Sequence, residues 1–288
     1  MPRLLGLVTV ALALVVAGCG GTTSDAGRES VVAAFYPLAW AAQEIGGGGV
    51  DVHNLTPPGA EPHDIELTPR DVDRVRKADL VLYLGDGFQP ALERAVEDRR
   101  GLSVDLLRGL QLAAARKGEE ELSVDPHVWL DPLRFAVLVR RIGGALHRPG
   151  PTSRVVTRLQ ALDREYRRGL ASCRRHEIVT SHAAFGYLAE RYGLRQIALT
   201  GLSPEAEPGP RDLQRLVHEV ESSGASTIFF ESLVSPKLAQ TVAREAGAKT
   251  AVLDPLEGLT KDEASAGDDY LSLMRRDLAT LREALACR

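Results

Sequence analysis

The sequence predicts an α/β protein: two Rossmann-like lobes with mostly parallel sheets, joined by one long helix. Short apolar runs alternate with amphipathic ones along the chain, the βα repeat of a parallel sheet with helices on both faces. The 288 residues allow two separate cores. Near the middle, Val155, Val156, Leu159, Leu162, Tyr166 and Leu170 recur at spacings of three and four. That spacing marks a helix of about 20 residues and about 30 Å, long enough to connect two lobes.

The chain opens MPRLLGLVTVALALVVAGCGG: one Arg, an apolar run from Leu4 to Ala17, then small residues. This is the pattern of a secretory signal. The run of 14 residues is short of the roughly 20 that span a bilayer. Val16-Ala17-Gly18-Cys19 resembles a bacterial lipobox, which implies cleavage before Cys19 and acylation of its thiol. Two or three acyl chains anchor a protein stably, where one binds marginally. Residues 1–18 are thus expected to be a leader and 19–30 a flexible tether. The mature chain is expected outside the cytoplasm, held on the bacterial cell membrane as a lipoprotein. With Cys19 acylated, Cys173 and Cys287 remain, and outside the cytosol such a pair favours a disulfide.

The elements follow in order. Val31–Phe35 begins as a strand and runs into a helix, and VDVHNL is a short strand ending at Pro57-Pro58-Gly59. Thr68-Pro69 sets an N-cap before a proline at the first helical position, starting a helix through Lys77. ADLVLYLG is a buried strand, FQPALERAVED a helix and LSVDL a strand. A helix over 132–147 follows, and Pro149-Gly150-Pro151 reads as a break before the long helix, capped by Thr152 or Ser153. The first lobe is therefore placed at 31–150, the connector at 151–172 and the second lobe at 173–288. In the second lobe EIVTS, QIALTGL, STIFFES and TAVLDPL are strands with helices between them, and DYLSLMRRDLATLREAL closes the chain.

The net charge is −4 with Lys and Arg along the whole chain, and no nucleic-acid surface is expected. No G-x-S-x-G elbow and no H-E-x-x-H helix occurs, and the GGGG at 46–49 lacks the G-K-[ST] ending of a phosphate loop. Three of the seven histidines, His63, His127 and His182, stand at strand ends or loop mouths, as does Asp254 at the end of TAVLDPL. Ligands of open α/β sheets sit beyond the carboxyl ends of the strands. Neutral imidazole and carboxylate suit divalent zinc, whose tetrahedral shell takes four donors. Glu61 is a further carboxylate near His63, and Glu231, in IFFES, reads as the partner that orients a ligand histidine.

These residues resemble the zinc/manganese group of metal-binding lipoproteins of bacterial ABC importers. PHDIELTPRDVDRVRKADLVLYLGDGF, DPHVWLDP, SHAAFGYLAERYGL and VLDPLEGL are similar to that group's four ligand segments, in the right order. The resemblance runs from Val31 to the C-terminus. It implies His63, His127 and His182 as imidazole ligands, Asp254 as the carboxylate, and two lobes joined by one rigid helix. It also implies a monomeric receptor that captures Zn²⁺ and hands it to a membrane permease driven by an ATPase. His at position 182, where manganese members carry Glu, gives a softer shell suited to zinc. The long His-rich loop of many zinc members is replaced by AAARKGEEELSV, whose Glu119–Glu121 run reads as solvated. A manganese or iron receptor, an adhesion lipoprotein and a zinc hydrolase are the alternatives. The hydrolase needs an open coordination position, which four protein ligands do not leave.

Overall fold

The computed structural model describes residues 27–115, 122–204 and 209–288. The expected leader, Cys19, most of the tether and the Glu119–Glu121 run lie outside the described residues. No described helix is long and apolar enough to cross a membrane.

The first lobe is a four-stranded parallel sheet in the order β2-β1-β3-β4: β1 Glu29–Ala33, β2 Val50–Asn54, β3 Leu80–Tyr83 and β4 Leu102–Asp105. Helices α1 (Tyr36–Gly46), α2 (Pro69–Lys77) and α3 (Pro90–Glu97) make the crossovers. β1 and β3 read Val-Val-Ala and Leu-Val-Leu and are buried on both faces, as central parallel strands must be. Thr68 caps α2 as its sequence requires, with Asp71 completing a reciprocal capping box.

The second lobe repeats the plan in the order β6-β5-β7-β8: β5 Glu177–Thr180, β6 Arg195–Ala198, β7 Thr227–Phe230 and β8 Lys249–Val252. Its helices are α6 (Gly186–Tyr192), α7 (Pro210–Ser223), α8 (Lys237–Glu245), α9 (Lys261–Ala266) and α10 (Tyr270–Ala284). α9, not expected from the sequence, is a single short helix made by the Thr260–Glu263 capping box.

Between the lobes run α4 (Pro132–Ala145) and α5 (Pro149–Leu170). The Pro-Gly-Pro stretch read as a break is in fact the first turn of α5. Proline is tolerated there because the first-turn N–H groups have no helical partner to lose. Thr152 and Ser153 do not cap. Their hydroxyls donate back to the Arg148 and Pro149 carbonyls at 2.6 and 3.0 Å.

One hydrophobic core runs through both lobes, and a separate cluster around Val179, Ile197, Val220, Ile228 and Val242 packs the second lobe's sheet. Phe35, Trp129 and Phe135 of the first half lie in the same buried cluster as Tyr166 of α5 and Phe229, Leu256, Tyr270 and Met274 of the second. Trp40 stacks on Tyr270 at 4.9 Å, and the Tyr166 hydroxyl donates to the Met274 carbonyl at 2.6 Å. Cys173 and Cys287 form the expected disulfide, tying the start of the second lobe to the end of α10.

Candidate metal centre

All four parts of the centre come from segments beyond the carboxyl ends of strands. His63 sits in the loop from β2 to α2 and His127 at the end of the loop from β4 to α4. His182 follows β5 by two residues, and Glu257 lies in the loop after β8. Thr56 pins the His63 loop by donating to the Ala34 carbonyl at 2.9 Å, and Gln89 donates to the Pro62 carbonyl at 3.0 Å. Across the mouth, the Gly59 N–H donates to the Leu259 carbonyl at 2.7 Å, joining the loops of the two lobes. Gly59 has φ 88°, a conformation that a side chain would disfavour.

His63, His127, His182 and Glu257 each offer one donor atom, and the four atoms lie within 4.8 Å of one another. Glu257 Oε1 is 3.2 Å from His63 Nε2, 3.1 Å from His127 Nε2 and 3.4 Å from His182 Nε2. His127 and His182 Nε2 are 3.2 Å apart. A tetrahedron with metal–donor bonds of about 2.0–2.1 Å has edges of about 3.3 Å. His127 and His182 are fully buried, and Glu257 is 1% exposed.

The far side of two rings is held by carboxylates. His127 Nδ1 is 2.7 Å from Asp125 Oδ1, and His182 Nδ1 is 2.6 Å from Glu231 Oε1. A carboxylate only accepts, so Nδ1–H donates on both rings, and Nε2 is the nitrogen left for a metal once its proton is lost. The same oxygens accept the His127 and His182 backbone N–H groups at 2.9 and 3.2 Å. Each ring is thereby fixed to its own backbone. Glu231, expected beside a ligand histidine, lies against His182, and Asp125 plays the same part at His127 although the sequence alone does not single it out. Its signal was the D-x-H spacing, which lets one carboxylate reach both the ring and its backbone N–H. Trp129 packs 5.1 Å from His127 and donates from its indole to the Pro255 carbonyl at 2.7 Å, bracing the Glu257 loop.

The expectation for Asp254 needs correction, because the structure does not bring it into the cluster. Its Oδ1 accepts the Leu256 N–H at 2.7 Å, and its Oδ2 meets the Ser232 hydroxyl. Leu256 sits at φ 54°, and the turn this builds carries Glu257 inward. An Asp before Pro closes a turn with its own side chain, and here both oxygens face that turn and Ser232, away from the four-donor cluster. Burial pushes the Asp254 carboxyl up to about 8. Glu61, the other carboxylate near His63, accepts the His63 N–H at 3.1 Å. Burial and the charge of Glu257 raise its pKa.

Burial disfavours charge on His182, but Glu231 and Glu257 outweigh it and hold its pKa well above the ordinary histidine value. His127 is raised as well, with Asp125 and Glu257 overcoming burial. A raised folded-state pKa contributes stability that is complete below the unfolded value of 6.5 and is lost as pH climbs through the folded value. Asp254 and Asp277, both raised by burial, act in the same direction. The melting temperature of the metal-free chain is therefore expected to fall between pH 6 and pH 8.5. Any metal must displace these imidazole protons, so the upward shift it causes should grow over the same window. Calorimetric scans with and without Zn²⁺ across that range measure both.

The family described as ZnuA, zinc-uptake complex component A periplasmic, matches residues 31–284. The chain belongs to this family. Among its relatives is the high-affinity zinc uptake system protein ZnuA of Bacillus subtilis, 34% identical over 306 aligned residues, covering 96% of each chain. The zinc-binding lipoprotein AdcA of Streptococcus pneumoniae is 32% identical and matches 98% of this chain. This chain spans only 61% of that longer relative. The crystal structure of Zn(II)-bound AdcA from the same species superposes with a TM-score of 0.78 at 33% identity, covering 90% of this chain and 58% of that one. The fold of the ZnuA family is thus the two-lobed parallel α/β arrangement described above.

Proposed function

We propose that this ZnuA-family chain is an extracytoplasmic receptor that captures Zn²⁺ and delivers it to an ABC-type importer. The observation that carries the reading is the three-imidazole, one-carboxylate cluster, whose donors come from both lobes at tetrahedral-edge spacing. His63, His127, His182 and Glu257 are the proposed ligands. Asp125 and Glu231 orient two of them. Three nitrogen donors favour zinc over manganese. Four protein donors leave no position for an activated water, which supports transport rather than catalysis. Acylation at Cys19 and a monomeric receptor complete the proposal. The zinc-binding lipoprotein name of the pneumococcal relative supports the anchor.

Titration of chelator-stripped protein with Zn²⁺ and Mn²⁺ tests it. One Zn²⁺ should bind per chain, and more tightly than Mn²⁺. Stoichiometric binding that survives in His127→Ala/His182→Ala would sink the site assignment. Glu231→Gln should weaken zinc by about 10- to 100-fold, since the amide no longer enforces one imidazole tautomer. A competition assay against a chelator of known affinity reads that loss.

A further inference from the structure

Cations are not distributed evenly over this chain. Residues 132–175 hold eleven arginines and only two acids, a formal charge of +9 in a chain whose total is −4. The remaining residues set 24 cations against 37 anions. The structure puts this charge on α4, α5 and the segment after them. Arg140, Arg148, Arg154, Arg164 and Arg168 are exposed, and none has an ion-pair partner among the described residues. Among the described residues, the acids on α5 and one acid of α1 beside it are paired with other arginines. Asp163 pairs with Arg167, Glu165 with Arg275 and Glu44 with Arg158. At 3.6 residues per turn, positions 154, 157, 164 and 168 fall within about 80° of one side of α5. Thr157 and Arg140 line the same groove between α4 and α5, so the arginines of both helices share one face.

The chain enters the fold at this face. Glu29, which begins β1, is in register with Val50, and the Arg148 guanidinium lies against the preceding Gly49. The strands run parallel, so this is the amino end of the first sheet, and the metal centre lies beyond its carboxyl end. Nine residues lie between Cys19 and Glu29, ten steps that span at most about 35 Å fully extended. An acylated Cys19 would therefore hold the arginine face near a bilayer.

We propose that the outer face of α4 and α5 is a docking surface for anionic phospholipid headgroups, which orients the anchored receptor on its membrane. The proposal rests on the extracytoplasmic, membrane-attached reading above, and unpaired arginines at the anchored end match an anionic surface in charge. Each basic residue near such a surface strengthens binding about fivefold. Clustering counts because screening confines the attraction to within about 8–10 Å at moderate salt.

The test uses the mature chain from residue 19 with Cys19→Ser, so that no acyl chain contributes. Sedimentation compares vesicles of phosphatidylcholine with vesicles containing 30% phosphatidylglycerol. Binding to the anionic vesicles should exceed binding to the neutral ones at least tenfold and vanish in 0.5 M salt. Combined Arg140→Glu, Arg154→Glu, Arg164→Glu and Arg168→Glu should abolish the preference and leave zinc titration unchanged. The milder set of four Gln substitutions should weaken it by an intermediate factor. Equal binding to both vesicles, or a preference untouched by the Glu set, overturns the proposal. Acyl incorporation at Cys19 of the unaltered chain is measured separately, so failure of the anchor and failure of the docking face are distinguishable.

Discussion

Glu257→Gln is expected to lower Zn²⁺ affinity by on the order of 100-fold or more, whereas Asp254→Asn should lower it far less. Zinc shells of four protein donors bind with about 10–16 kcal/mol, so a single donor is worth roughly 3 kcal/mol, or about two decades. Among the described residues, Glu257 brings the carboxylate oxygen that lies within 3.4 Å of all three ring nitrogens. Its amide keeps the shape of the side chain and removes the charge. Asp254 acts at one remove. Its Oδ1 caps the Leu256 N–H, and an asparagine oxygen can make that same bond. A chelator-competition titration of both variants separates the roles. Equal losses from the two substitutions would contradict the placement of Glu257 as the ligand.

Cys173→Ser/Cys287→Ser is expected to cost stability and spare zinc binding. The bridge closes a segment of 114 residues. In the chain-entropy account a loop of that size contributes about 4–5 kcal/mol, an upper figure because the reduced chain is not a random coil. At about 2–4 °C per kcal/mol, the melting temperature should fall by about 10–15 °C. The contacts beside the bridge survive its removal. The Arg174 and Arg175 N–H groups both bond to the Leu285 carbonyl, and Arg288 N–H bonds to Ser172. The native state should therefore keep its geometry, with the centre intact at low temperature. Calorimetry and zinc titration on one sample read the two effects, and a loss of zinc affinity would show that α10 docking depends on the bridge.

Alternation of apolar runs and amphipathic helices was enough to place most strands and helices, because a parallel sheet buries its strands on both faces. Boundaries failed where one residue type serves two uses. Pro149 and Pro151 mark either a break or a first turn, and only the partner surface of α4 decides. The histidines were legible because each follows a strand in the position such sites use. The carboxylate was not. Asp254 and Glu257 stand three apart in one loop, and the choice depends on the φ of Leu256, which the sequence does not display. Asp125 was hidden for a related reason. An Asp-Pro pair reads as turn chemistry, and here the same oxygen also reaches the ring.

The shared core between the lobes bears on how tightly the receptor holds its cargo. A protein that must first close a hinge binds more weakly by the fraction of time it spends closed. Here Trp40 against Tyr270, Tyr166 against Met274 and Trp129 against Pro255 join the halves through buried contacts away from the donors. Contacts of this kind lower the toll for assembling the halves, so the donors themselves weigh more in the affinity. Letting go becomes the harder half of the cycle. Among the described residues, the Gly59–Leu259 bond joins the two loops across the mouth, and release of the ion has to part it.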